Sequence, residues 1–185
     1  IGLFQLVTSV YSLAVTFSSA GIKLATTRIA VEINTRKNHD IGKSLVICIV
    51  YAGFAGSLIG LILLVFSDFI SAKWIGNINT AQSLKILSLS LPFVSVSSAL
   101  GGYFTAIEKV PQFSFIQMLE QCAKIIITVF LLGKTSDSVT AIVMGMTAAE
   151  IISCSLSMIL KRKTGTIKTD KTPMGLYKFL RIALP

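Results

Sequence analysis

The sequence predicts an all-α integral membrane protein, a polytopic bundle of helices. Of its 185 residues, 53% are hydrophobic and only 14% are charged, whereas about a quarter of the residues in an average soluble domain are charged. The mean hydropathy is +0.79, so too few ionic groups remain to cover the surface of a globular domain. The apolar content also excludes a disordered chain, and a count of three cysteines excludes a disulfide scaffold.

Long runs with few charges define the predicted membrane crossings, because roughly 20 apolar residues span the hydrocarbon layer of a bilayer. These runs are continuous rather than alternating, which favours helices over a transmembrane barrel. The chain begins at Ile1 without a methionine and stops within a new apolar run, so we expect an incomplete transmembrane domain of a longer protein. The crossings cover residues 1–22, 44–67, 86–107, 113–133 and 138–160, and a sixth begins at residue 176.

Basic residues are concentrated on one side of the predicted bundle. The connections 23–43, 108–112 and 161–178 together carry twelve Lys and Arg residues, against three in the connections on the opposite side. Cytoplasmic loops are enriched in Lys and Arg, so the three basic connections are predicted to face the cytoplasm from a protein of the cytoplasmic membrane. This asymmetry accounts for the net charge of +9 without a nucleic-acid partner.

The cysteines and the single histidine form no recognisable catalytic or metal-binding pattern. Cys48, Cys122 and Cys154 fall within crossings, where a reduced, buried cysteine acts as a small hydrophobic residue. His39 lies beside Asp40 in a charged connection and is predicted to be a solvated loop residue. Because no nucleophile motif, phosphate loop or paired acid and base occurs, we predict no enzyme, no cofactor and no metal.

Polar residues recur at helical spacing along three of the crossings and form stripes on one side of each helix. Helix packing and the lining of a cavity both explain such stripes, and the spacing alone does not separate the two. In the second crossing, the small residues Ala52, Gly56 and Gly60 indicate packing. The stripes comprise Gln5, Ser9, Ser12, Thr16, Ser19 and Lys23 in the first crossing, Ser88, Pro92, Ser95 and Gly102 in the third, and Thr140, Thr147, Glu150 and Ser157 in the fifth.

The fourth crossing contains two ionisable residues at membrane depth. Glu120 and Lys124 are spaced i,i+4 with the acid first, the favourable order, and Lys124 lies about 16 Å into the crossing. Charges at this depth are costly and face a bundle interior or a wet cavity. Two interpretations follow: a structural ion pair that joins two helices, or a water-filled pathway lined by this face, which also carries Gln117 and Gln121. Glu150 in the next crossing fits either interpretation, as a partner in the ion pair or as part of the pathway lining.

Pro92, Gly101 and Gly102 in the third crossing are candidates for a kink or gating point. Proline removes a backbone donor and bends a helix, and transporters use such breaks. Kinks are also common in static membrane bundles, so a proline and two glycines are weak evidence for gating on their own.

Two parts of the chain resemble a known family. Ile1-Gly-Leu-Phe-Gln-Leu-Val and Ser19-Ala-Gly-Ile in the first part, and Leu91-Pro-Phe, Gly102-Tyr-Phe and Gln117-Met-Leu-Glu-Gln in the second, are similar to the stage V sporulation protein B-like polysaccharide-export flippases. These belong to the multidrug/oligosaccharidyl-lipid/polysaccharide flippase superfamily. The family usually has arginine where Lys124 stands, and lysine keeps the charge without the planar fork that binds phosphate bidentately.

The resemblance implies a MATE-like fold of two helical lobes, with this chain forming most of the amino-terminal lobe. It implies a flippase that moves a lipid-linked oligosaccharide or peptidoglycan precursor across the membrane by alternating access. Lys23 and Arg28 at the cytoplasmic mouth, with Lys124 deeper, would then attract the pyrophosphate. The expected partners are membrane lipids and the lipid-linked saccharide.

Two alternatives stay open. One is a proton- or sodium-coupled multidrug exporter of the same superfamily, in which Glu120 or Glu150 binds the coupling ion. The other is a non-transporting membrane scaffold for cell-wall or spore assembly, in which the charges of Glu120 and Lys124 would be dispensable.

Overall fold

The computed structural model describes residues 2–19, 21–36, 41–75, 80–133 and 138–164. No strand occurs among these residues, and the prediction of an all-α fold is confirmed. The helices are α1 (Gly2–Ser19), α2 (Ile22–Arg36), α3 (Ile41–Ile70), α4 (Thr80–Ala106), α5 (Val110–Leu132) and α6 (Ser138–Thr164), and a π-helical turn (Ser71–Ile75) continues α3.

Four of the described helical segments are long and apolar enough to cross a membrane, and they correspond to the second to fifth predicted crossings. The chain is therefore a multi-pass membrane protein. Helix α1 is not among the four, so a crossing over residues 1–22 stays a prediction. The sixth crossing, from residue 176, lies outside the described residues. The four segments are Leu45–Trp74, Thr80–Ala106, Val110–Leu132 and Val139–Lys161.

The predicted loop 23–43 is wrong for most of its length, because residues 22–36 form helix α2. A search for uncharged runs passes over such a helix, since α2 carries Lys23, Arg28 and Glu32 among its residues. Gly21, with φ of +76°, lies immediately before α2 in a left-handed conformation that glycine adopts readily. His39 and Asp40 lie outside the described residues.

The other two basic connections are shorter than predicted. The turn between α4 and α5 comprises only Ile107–Lys109, because α5 already begins at Val110. Helix α6 continues to Thr164, beyond the predicted end of the fifth crossing, and the remainder of the connection 161–178 lies outside the described residues.

Helix α4 is the central element and packs against α1, α2, α3 and α6. Its side chains Leu84, Leu91, Leu100 and Phe104 are completely buried. The helix is continuous through Pro92, and a kink or gating point at this residue stays a prediction. Extensive contact on several sides holds α4 helical although the proline removes one backbone hydrogen bond.

Helix α3 approaches α4 at its small residues. A methyl group added at Gly56 would lie 2.8 Å from the Cα of Pro92, and one added at Gly60 would lie 2.8 Å from the carbonyl oxygen of Ser88. Ala52, one turn earlier, is completely buried. The prediction that Ala52, Gly56 and Gly60 form a packing stripe is therefore confirmed.

The turn between α4 and α5 is a Schellman motif, in which backbone N–H groups after a helix cap its last carbonyls. The N–H of Lys109 donates to the carbonyl of Phe104 at 3.0 Å, and the N–H of Glu108 donates to that of Thr105 at 3.2 Å. Glu108 adopts the left-handed conformation, with φ of 59°, at a position usually occupied by glycine. This turn sets the point at which α5 begins.

The three cysteines differ in burial. Cys48 and Cys154 are free and buried, as predicted, but Cys122 is exposed. The prediction of burial is wrong for Cys122 because α5 packs mainly against α6, which leaves most of the α5 surface uncovered by the described residues.

Candidate substrate groove

The polar stripe on α4 is a packing surface. Ser88 and Ser95 are buried, and the hydroxyl of Ser95 donates to the carbonyl of Leu91 at 3.0 Å and contacts the hydroxyl of Ser18 on α1. The stripe on α6 is buried to a similar extent at Thr147 and Ser157. The structure supports the packing interpretation for the α4 stripe and for these two residues of the α6 stripe.

The polar stripe on α1 is different, because Gln5, Ser9, Ser12 and Thr16 are all exposed in the described chain. Three of their hydroxyls donate to carbonyl groups of α1 itself, at 2.8 Å from Ser9 to Gln5, 2.9 Å from Ser12 to Ser9 and 2.8 Å from Thr16 to Ser12. These bonds satisfy the hydroxyl donors without a second helix, so the stripe forms a polar face that no described helix covers.

At the end of this stripe, five helices enclose a polar cavity of about 230 Å³, which we call the polar groove. Half of the ten predicted site residues line it. Helices α1 and α2 contribute one wall, α4 the floor, and α5 and α6 the other wall. The residues that line it are Ser19, Lys23, Val94, Ser97, Ser98, Gly101, Phe113, Gln117, Glu120 and Glu150.

A charged triad lies beside the polar groove and joins α5 to α6. The ammonium of Lys124 is 3.7 Å from the Oε1 atom of Glu120 and 3.9 Å from the Oε1 atom of Glu150. The three side chains are only 21%, 12% and 16% exposed, respectively. Both separations exceed the length of a direct hydrogen bond, so the attraction within the triad is electrostatic.

The ion pair between two helices, one interpretation of the fourth crossing, is present, and the water-filled pathway stays a prediction. Glu120 and Glu150 line the polar groove, while Lys124 pairs with both of them and is not part of the lining. The ammonium lowers the repulsion between two carboxylates in a weakly solvated environment, where like charges interact strongly. Within the lining, Lys23 on the opposite wall supplies the positive charge, and Gln117, Ser97 and Ser98 supply neutral hydrogen-bonding groups.

Five of the predicted site residues, Lys124 among them, do not line the polar groove. Arg28 on α2 and Gln121 on α5 are exposed, and Pro92 faces α3, as described above. A methyl group at Gly102 would lie 2.5 Å from the carbonyl oxygen of Lys23, which identifies Gly102 as the point of close approach between α4 and α2. The hydroxyl of Thr27 reinforces this contact by donating to the carbonyl of Gly102 at 3.1 Å.

The floor of the polar groove was not predicted as a surface, although one of its residues, Gly101, was a candidate for a kink or gating point. Val94, Ser97, Ser98 and Gly101 recur at spacings of three and four along α4 and so share one face, whereas the stripe identified from sequence lies on the adjacent, packed face. Gly101 is needed for packing, since a methyl group there would lie 2.9 Å from the ring of Phe113. The spacing of these four residues is a signal that could have identified the floor.

Comparison with known proteins assigns the chain to a family. The family described as "Polysaccharide biosynthesis protein" matches residues 1–185. The chain belongs to this family. It is 23% identical over 177 residues to stage V sporulation protein B of Bacillus subtilis (strain 168), an alignment that covers 92% of this chain and 34% of that protein.

This polysaccharide biosynthesis family member thus spans about a third of the length of the relative that it matches. No solved structure matches the chain. The resemblance identified from the segments around Ile1 and Leu91 is confirmed at the level of the family.

Proposed function

We propose that this protein is the amino-terminal part of a membrane flippase that moves a lipid-linked saccharide across the cytoplasmic membrane by alternating access. The observation that carries the proposal is the polar groove itself. Side chains from five helices converge on it, whereas the outer surface exposes large apolar residues such as Phe17, Val65 and Ile126. A saccharide headgroup requires such a polar path, while its lipid chain stays in the bilayer.

Each wall of the polar groove has a distinct role in this proposal. Lys23 attracts the pyrophosphate, and Arg28, exposed about one and a half turns further along α2, raises the positive charge near the entrance. Gln117, Ser97 and Ser98 exchange hydrogen bonds with sugar hydroxyls, and the carboxylates of Glu120 and Glu150 accept hydrogen bonds from them. The basic connections face the cytoplasm, where the lipid-linked precursor is collected.

Transport by the full-length protein in vesicles tests the proposal. A fluorescent lipid-linked saccharide is placed in both leaflets, and the rate at which the inner-leaflet pool becomes accessible to an impermeant external quencher reports movement between them. We expect Gln117→Ala to lower the flipping rate by about tenfold, the effect of losing one good hydrogen bond to a polar substrate. Gln121→Ala, on the same helix but outside the groove lining, is the matched control and should flip at the rate of the unmodified protein.

Absence of flipping above protein-free vesicles, with an active reference flippase in parallel, would refute the proposal. Equal flipping rates for the two glutamine variants would show that the polar groove is not part of the transport path. If Glu120→Gln combined with Lys124→Met inserts, folds and keeps full activity, the charged triad does not serve transport.

A second candidate function is ion-coupled multidrug export, favoured by the position of Glu120 and Glu150 on one groove. Two nearby carboxylates provide ligands for a proton or a sodium ion. Efflux of a cationic dye that depends on an ion gradient, and that is lost in Glu150→Gln, would support this function. Saccharide flipping without any dye efflux would reject it.

A further inference from the structure

A second cavity, of about 740 Å³, opens on another side of the same two helices, and we call it the apolar groove. Its walls include Phe115 and Leu119 from α5 and Leu156 and Ile159 from α6. It shares no lining residue with the polar groove. Phe115 and Ile159 are about 60% exposed, so a long apolar surface on this side is left open by the described helices.

The apolar groove has a cation at one end. Lys109 lines it together with Gln112, and no described carboxylate forms an ion pair with Lys109. The Schellman turn fixes Lys109 immediately before α5, because its backbone N–H is bound by Phe104. The backbone of Lys109 is therefore fixed at one end of a groove that is otherwise lined mainly by apolar side chains.

The depth of Lys109 in the membrane is also defined. The turn Ile107–Lys109 separates two candidate membrane spans, Thr80–Ala106 and Val110–Leu132. A turn this short between two spans lies at the boundary of the hydrocarbon layer, where lipid phosphates are found. From Pro111 to Leu119 the groove then descends by about 12 Å into the hydrocarbon layer at 1.5 Å per residue.

We propose that the apolar groove binds an anionic phospholipid of the surrounding membrane, with its phosphate at Lys109 and one acyl chain along α5 and α6. The occupant matches the groove at both ends, because the headgroup supplies the negative charge at the correct depth and the chain covers the apolar walls. An apolar helix in the same position would leave the ammonium of Lys109 without an anion. The proposal does not depend on flippase activity.

Native mass spectrometry of the full-length protein tests this inference. The protein is reconstituted in an equal mixture of phosphatidylglycerol and phosphatidylcholine, and the lipids retained after gentle extraction are counted. We expect a preference for phosphatidylglycerol that falls about fivefold in Lys109→Gln, which corresponds to roughly 1 kcal/mol for one interfacial lysine. Lys109→Arg should keep the preference, because it keeps the charge.

A groove variant and a charge control complete the experiment. Leu119→Trp narrows the apolar groove and should lower retention although Lys109 is intact. Lys73→Gln removes a different exposed lysine, near the end of a membrane span, and should leave retention unchanged. Equal retention of the two phospholipids, or an unchanged preference in Lys109→Gln, overturns the inference. Retention unaffected by Leu119→Trp also overturns it, since the acyl chain then does not lie in the groove beside Leu119.

Discussion

Lys124 on α5 lies 3.9 Å from Glu150 on α6, the ion pair that connects the two helices beside the polar groove. The same ammonium lies 3.7 Å from Glu120 one turn earlier on α5. One cation therefore compensates two carboxylates that both line the polar groove. This arrangement links the stability of the α5–α6 pair to the charge of the proposed transport path.

Removal of the shared cation should destabilise the protein. Lys124→Met leaves two weakly solvated carboxylates facing each other, and we expect a loss of about 1–3 kcal/mol in the free energy of unfolding, the cost of an unsatisfied buried polar group. The triple variant Glu120→Gln, Lys124→Met, Glu150→Gln removes the charges together and should recover much of this loss. The apparent unfolding midpoint in detergent measures both effects.

The ion pair of Lys85 with Asp68 is the control for this prediction. Its shortest separation, 2.8 Å, is less than either separation in the triad, but the side chains are 44% and 68% exposed. Exposed pairs contribute about 0–1 kcal/mol, so Lys85→Met should shift the midpoint less than Lys124→Met. A larger shift for Lys85→Met would show that distance, rather than burial, determines the contribution of these pairs.

Helix α3 offers two glycines with opposite expected responses to the same substitution. Gly60→Ala places a methyl group 2.8 Å from the Ser88 carbonyl oxygen, whereas Gly53→Ala meets only the Val96 side chain at 3.7 Å. We expect Gly60→Ala to cost about 1–3 kcal/mol through overpacking. Gly53→Ala should be neutral or stabilising by up to about 1 kcal/mol, because alanine favours the helix.

Thermal unfolding of the two variants in the same detergent decides this prediction. Equal midpoints would mean that α3 and α4 separate without cost at Gly60, and the close approach would then not contribute to stability.

Glu108 occupies a position that glycine would fill with less strain. A left-handed conformation costs a non-glycine residue about 1–2 kcal/mol, and Glu108 has φ of 59° in the Schellman turn. Glu108→Gly should therefore raise the free energy of unfolding by about 1 kcal/mol, and Glu108→Val should lower it, because a branched side chain is least tolerated there. An unfolding midpoint that falls in Glu108→Gly would show that the carboxylate makes a stabilising interaction that outweighs the strain.

The sequence predicted the transmembrane helices well because long apolar runs are a strong signal on their own. It also identified Gln117, Glu120 and Glu150, since polar groups at membrane depth are costly and therefore informative. Helix α2 was missed because its charges conceal a helix from a search based on hydropathy. A search based on hydropathy detects α3, which is long and apolar, and misses α2, which is charged.

Which residues meet in the polar groove depends on how each helix is rotated about its own axis. The spacing of residues in the sequence does not define that rotation. Ser95 and Ser98 are only three residues apart on α4, yet Ser95 is hydrogen-bonded to Ser18 in the α1 interface and Ser98 lines the polar groove. Which stripe packs and which stays open follows from the neighbours of each helix, so the roles of the α1 and α4 stripes became distinct only in three dimensions.

The final prediction concerns the two exposed faces of α1, one polar and one apolar. Ser12 belongs to the polar stripe, Leu13 is 59% exposed on the apolar face, and Ser18 is buried against α4. A thiol reacts with a charged maleimide as the thiolate, which requires water. In a full-length chain free of native cysteines, we therefore expect Ser12→Cys to be labelled rapidly, and Leu13→Cys and Ser18→Cys to be labelled at least about tenfold more slowly. Equal labelling of Ser12→Cys and Leu13→Cys would mean that the α1 stripe faces lipid, and the polar groove would then lack an aqueous continuation along α1.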